Sequence, residues 1–343
     1  MVYFYFLNLL KHMPYYSINK EEWDKTIAQL LLSHTIIAPV NNGVSLDYEV
    51  IRPADIDSIS YNQPKPVTPL KNFFLPVKEN VTVKSGSAGP RIIIGIPNCD
   101  IAGLGILDEI YLDKDYVDIF YRERREKTIL ISADCFGIQE HCHCISYGIK
   151  PYDTANGDLA VIRIDGQIII RVISARGKEF LKNFPSAMPL TDDNLRGIID
   201  KEHINTEAQL DEANRGLPDY ASTGMLIKEV NNEIWEKYSS RCVSCGACTT
   251  ICPACSCFLL IDKPGFEKIR QMDACQYPGF ERVAGGEDGL FELHHRFRNR
   301  YMCKYVWKPE RFSSPACTGC GRCIEACIGK INKNELLLEI SRQ

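Results

Sequence analysis

Apolar positions change their period along the chain, and each period predicts an element. From Ile18 to Leu32 they recur at helical spacing behind an acidic start, which predicts a helix. Thr35 to Val40 and Val44 to Ile51 predict two strands around an Asn-Asn-Gly turn. Asn72 to Pro76 is a short aromatic segment closed by proline. Arg91 to Ile96 (RIIIGI) and Thr128 to Ala133 (TILISA) are unbroken apolar runs, the pattern of strands buried on both faces. A helix-like stretch, Asp100 to Tyr111, lies between them. Strand, helix and strand predict a parallel unit whose strands end on one edge. Cys99 and Cys135, each just past a strand, are thereby brought near one another. Leu159 to Ile173 predicts a hairpin closed by Asp165-Gly166. Residues 185 to 240 are polar and helix-prone.

Composition adds bounds. The 343 residues suffice for two domains, and an apolar fraction of 45% suffices for their cores. A net charge of −4 argues against nucleic acid as the main partner. Met1 to Leu10 is apolar, but it lacks a basic leader and is far short of the roughly 20 residues of a membrane span. We read it as a short element packed on the core, with Met13 as an alternative start. Without an export signal the chain is expected in the cytoplasm, with its thiols reduced.

The cysteines change the picture most. There are 16: four between Cys99 and Cys144, twelve between Cys242 and Cys327, and none in the stretch that separates these groups. Short regular spacing reads as metal ligation rather than disulfide stapling. Two four-cysteine motifs, Cys242-x2-Cys245-x2-Cys248-x3-Cys252 and Cys317-x2-Cys320-x2-Cys323-x3-Cys327, have the spacing of two-cluster ferredoxins. In that arrangement three cysteines of one motif share a cubane with the fourth of the other. We therefore expect Cys242, Cys245, Cys248 and Cys327 around one [4Fe–4S] cluster and Cys317, Cys320, Cys323 and Cys252 around a second. Gly246 and Gly321 follow the second cysteine of each motif, where an unhindered residue lets backbone amides approach the sulfurs. Zinc is the alternative for paired C-x2-C motifs. Pro253 follows Cys252, whereas Ile328 follows Cys327, and the spacer between the motifs is long. That spacer favours a helical two-cluster domain over a compact bacterial ferredoxin. The expected fold is α+β: an N-terminal α/β domain over residues 1–222, then a mainly α-helical, ferredoxin-like two-[4Fe–4S] domain over 223–343.

Eight cysteines remain. Cys99, Cys135, Cys142 and Cys144 are candidates for a third cluster, against buried free thiols or a zinc site using His141 or His143. Cys255, Cys257, Cys275 and Cys303 are candidates for a fourth. The basic run His294 to Arg300 reads as a solvated face, as buried arginines balancing cluster charge, or as a docking surface. Arg122 to Glu126 reads as an exposed helix face. No catalytic residue is expected, because every motif cysteine has a cluster partner and no His, Asp or Glu motif marks an open site. The rival readings are an enzyme with its own substrate and a metal-sensing or structural protein.

With these residues in view, the chain resembles an iron–sulfur subunit family whose members serve NiFe sulfhydrogenases, as their beta subunit, and anaerobic sulfite reductases. The pieces that carry the resemblance are Phe73-Phe74, Asn98 to Ile101, Tyr121 to Glu126, Cys142-His143-Cys144, Cys252 to Cys257, Pro278-Gly279-Phe280, Ala284-Gly285-Gly286 and Arg296 to Tyr301. The resemblance implies a relay subunit. Its partners would be a flavin-containing NAD(P)H or ferredoxin-reductase-type subunit and a catalytic subunit of NiFe hydrogenase or sulfite reductase type. Cys303 matches the hydrogenase form and tilts the expectation that way, whereas Ile328 and the short tail depart from both forms.

Overall fold

A computed structural model describes residues 13–82, 89–312 and 314–343, so the apolar start Met1 to Leu10 lies outside the described residues. The strands of the N-terminal half, in chain order, are β1 (Tyr15–Asn19), β2 (Thr35–Asn41), β3 (Leu46–Val50), β4 (Lys78–Asn80), β5 (Arg91–Ile96), β6 (Thr128–Ala133), β7 (Leu159–Ile164), β8 (Gln167–Val172) and β9 (Met188–Pro189). All but β4 join one sheet in the order β3-β2-β5-β6-β7-β8-β1-β9. Its centre, β2 to β7, is parallel, as the two apolar runs predict. Antiparallel strands flank it on both sides. Asp165 and Gly166, both at positive φ, close the β7–β8 hairpin.

Both faces of the sheet are covered. Ile92 and Ile94 pack with Ile36, Ile131 and the helix Lys20–Leu30. Ile93 and Ile96 pack on the other side with Leu130 and with Leu104 and Leu107 of the helix Asn98–Tyr111. A regular strand would put Ile94 and Ile96 on one face. A bulge at Gly95 (φ 74°) re-phases them, and a Cβ there would sit 2.6 Å from the Pro39 ring. Each fully buried isoleucine contributes about 1.5–3 kcal/mol, so this half has an apolar core of ordinary kind.

The C-terminal half packs the helices Tyr220–Glu229, Asn232–Ser239, Leu293–Met302 and Lys333–Ile340 around Trp235, Tyr301 and Leu336. The domain boundary expected near Ser222 falls inside the helix Tyr220–Glu229. Within the domain expected to be mainly α-helical, the spacer opens with a hairpin, β10 (Phe258–Lys263) and β11 (Glu267–Met272). Strand β11 also pairs with β4, so the two halves share a small sheet. Arg270 of β11 binds Glu79 of β4 and Asp118, which gives that hairpin a polar anchor.

Candidate iron–sulfur sites

The first motif loops between the helix Asn232–Ser239 and a short turn of helix, Ala247–Thr250. Cys242, Cys245, Cys248 and Cys327 line a single cavity of about 490 Å³, partly open to solvent, together with Cys323, Arg300 and Lys333. The crossed set expected from spacing therefore surrounds one space. Gly246 (φ 73°) and Gly321 (φ 77°) start the short helices in the left-handed region, where glycine is favoured. The Ile331 N–H donates to Cys327 Sγ at 3.3 Å.

The second set is more deeply set, with Cys252, Cys317 and Cys320 buried. Lys304 Nζ donates to Cys252 Sγ at 3.1 Å and to the Ala316 carbonyl at 3.0 Å. Lys333 Nζ lies 3.8 Å from Cys317 Sγ, 3.0 Å from the Tyr305 hydroxyl and 2.7 Å from His143 Nε2. Burial pushes the Cys320 thiol up to about 12. Burial also acts to raise Cys317, but Lys333 and Lys304 more than offset it and hold that thiol below its ordinary value. A hydrogen bond from Cys255, and then the Lys304 ammonium, hold Cys252 well below its own.

These cations bear on the cofactor. Lys71, Arg300, Lys304 and Lys333 are buried. Among the described residues their partners are sulfurs, carbonyls, phenols and an imidazole, with no carboxylate. Among the described residues, Arg300 Nε and Arg296 Nε have no hydrogen-bond partner. Several kcal/mol attend the desolvation of each such ion unless a negative charge sits close by. A cubane on four thiolates is an anion, so this donor set and these cations fit [4Fe–4S] clusters.

In the N-terminal half, Cys99 opens the helix after β5 and Cys135 follows β6. Asn98 Nδ2 pins the helix start by donating to the carbonyls of Lys150 and Tyr152, both at 3.0 Å. Cys99, Cys135, Cys142 and Cys144 line a second cavity, about 390 Å³ including its opening to solvent, with Lys65 and Cys320. Burial raises Cys99 and Cys135 well above the ordinary thiol range and pushes Cys144 up to about 12. His143, weighed as a zinc ligand, is turned away. Its Nδ1 meets the His141 carbonyl at 2.8 Å and its Nε2 accepts from Lys333. Burial and the Lys333 charge hold its pKa well below the usual range, which keeps the ring neutral.

The fourth set divides between two neighbours. Cys257 donates to Cys275, which this bond lowers to about 6, and the charges of Cys255 and Cys303 bear on Cys257. Cys255, however, donates to Cys252 of the second set. The basic run divides: Arg296 and Arg300 are buried while His295 is exposed. The segment 122–126 is exposed only at Arg122 and Glu126. Arg124 donates to the Phe74 carbonyl at 2.9 Å, and Arg125 Nε to Asp108 at 3.1 Å. Sequence reasoning passed over the buried lysines. Their signal is a lone lysine in an apolar run, as in PLKNFFL around Lys71 and MCKYVW around Lys304.

Comparison with known proteins bears on the same part of the chain. Residues 241–331 match the family described as a 4Fe-4S dicluster domain. Sulfhydrogenase 2 subunit beta of Pyrococcus furiosus is 28% identical over 341 residues, a match that covers 96% of this chain and 98% of that protein. Residues 241–331 thus form a domain for two [4Fe–4S] clusters, and along nearly its whole length the chain is similar to that sulfhydrogenase subunit beta.

Proposed function

We propose that this chain is the electron-relay subunit of a multisubunit oxidoreductase in the cytoplasm. It passes electrons between a flavin-containing NAD(P)H or ferredoxin-reductase-type subunit and a catalytic subunit of NiFe hydrogenase type. Cys242, Cys245, Cys248 and Cys327 hold one cluster, and Cys317, Cys320, Cys323 and Cys252 the other. Cubanes bound there supply one-electron storage over a potential range that their surroundings set. The chain's own residues hold the thiolates, balance their charge through Lys304, Lys333 and Arg300, and keep the second set dry.

One observation carries the reading. Cys323, a ligand of the second set, lines the cavity of the first. The two sites therefore share a wall, the arrangement a relay needs. The similarity to a sulfhydrogenase beta subunit supports a hydrogenase-type complex.

Anaerobic purification of the native complex tests this. A flavin chain and a NiFe chain are expected to co-purify, and dithionite is expected to bleach the visible absorbance of the isolated chain. A sirohaem chain in their place would redirect the proposal to a sulfite reductase. Substrate turnover by the isolated chain with an artificial donor would overturn it in favour of an enzyme.

A further inference from the structure

Four thiols of the N-terminal half have no place in the dicluster domain. Cys99, Cys135, Cys142 and Cys144 come from three segments, two of them the ends of neighbouring parallel strands, yet they line one cavity. Free buried cysteines pack as small hydrophobes and fill space. These surround it instead, and they do so beside a buried ammonium: Lys65 Nζ lies 3.7 Å from Cys142 Sγ. A zinc ion needs sulfurs drawn to about 2.3 Å from one point. Among the described residues no three His, Cys, Asp or Glu side chains converge that way. A ring of four thiols around a cavity, with a cation at its edge, suits a larger anionic body.

We propose that Cys99, Cys135, Cys142 and Cys144 hold a third iron–sulfur cubane, seated directly against the site of Cys317, Cys320 and Cys323. Cys320 lines the same cavity. The backbones around the two sites touch. The His143 N–H donates to the Gly319 carbonyl at 2.8 Å. A Cβ at Gly319 would fall 2.5 Å from Cys144 Cα, and one at Gly321 would fall 2.4 Å from the His141 carbonyl oxygen. Two ion pairs clamp the junction. Arg322, between Cys320 and Cys323, binds Asp100 beside Cys99, with Nη2 2.9 Å from Oδ2. Lys65 binds Glu325 at 2.8 Å.

The second motif thus faces both ways: Cys323 lines the first cavity and Cys320 the second, where the third cubane is placed. The three sites form a row with the set of Cys317 in the middle. Exchange along the row is a one-electron step, in which one cubane is oxidised as its neighbour is reduced and no bond is made or broken. The proposal deepens the relay reading and rests on it.

The test is iron, sulfide and zinc content of the anaerobically purified full-length chain, with EPR of its reduced form. The wild type is expected to hold at least about 12 irons. The double variant Cys135→Ser/Cys142→Ser is expected to lose about four of them, keep the dicluster signals and lose the spin–spin broadening between the middle and third sites. A wild type with about eight irons, with or without one zinc, overturns the third site and leaves the relay reading standing. A count of about eight decides against the third site even if the double variant does not fold, and a count of about 12 is then assigned by Cys142→Ala alone, which is expected to lose the third signal if this set holds it and to keep it if the set of Cys255 does. Loss of four irons with unchanged broadening overturns the placement beside Cys320. A wild type without iron sinks the relay reading itself.

Discussion

The large sheet and the cysteine domain are stabilised by opposite means. In the sheet, buried charges meet their opposites: Arg171 and Asp134, both fully buried, form a bidentate pair at 2.8 and 2.9 Å, and His203 adds a third contact. Isoleucines fill the rest. In the C-terminal half, Arg300, Lys304 and Lys333 are buried against sulfur and neutral oxygen, and cysteines stand where a core would have aliphatic side chains. The sheet is complete as a protein interior. The cysteine domain has a positive lining whose counter-charge is the cofactor, so its fold and its metal are one thermodynamic unit.

The largest effect expected from this contrast is on iron removal. Amide exchange over residues 241–331 is expected to rise toward unfolded rates, while the β7–β8 hairpin around Gly166 stays protected. Equal loss of protection in both regions would erase the contrast. Next comes Arg171→Met, which strands the Asp134 carboxylate. Denaturant unfolding should show a loss of about 3–5 kcal/mol, with the dicluster EPR signals unchanged under native conditions. Cys252→Ala follows: EPR should show damage to the cluster of Cys317, Cys320 and Cys323. Loss confined to the cluster nearest Cys242 would reverse the ligand assignment. Lys304→Met should keep the iron and lower the midpoint potential of the middle cluster in a potentiometric titration, because a cation that favours the more reduced, more negative form is gone. Arg122→Ala, on an exposed ion pair, should change stability by no more than about 0.5 kcal/mol.

Much of this was legible in the sequence where one local rule decides the outcome. RIIIGI and TILISA become neighbouring parallel strands because nothing but a two-sided apolar environment satisfies them. Asp165-Gly166 closes its hairpin because both residues tolerate positive φ. Spacing alone brings cysteines of both motifs to one cavity, where Cys242, Cys245, Cys248 and Cys327 stand together with Cys323. What escaped depends on partners distant in the chain. The β10–β11 hairpin is anchored through Arg270 to Glu79, nearly two hundred residues earlier, though the Pro264-Gly265 pair marks its turn. Arg124 and Arg125 look like solvated charges until Glu79 and Asp108 come beside them. Lys304 and Lys333 are buried only because thiols converge on them, and no periodicity encodes that.

The shared small sheet has a consequence for biosynthesis. Strand β4 leaves the ribosome long before its neighbour β11 exists, and Asn80 must wait for Ile269. Contacts of such sequence separation close late. A nascent chain can thus complete its large sheet well before the seam between the halves shuts.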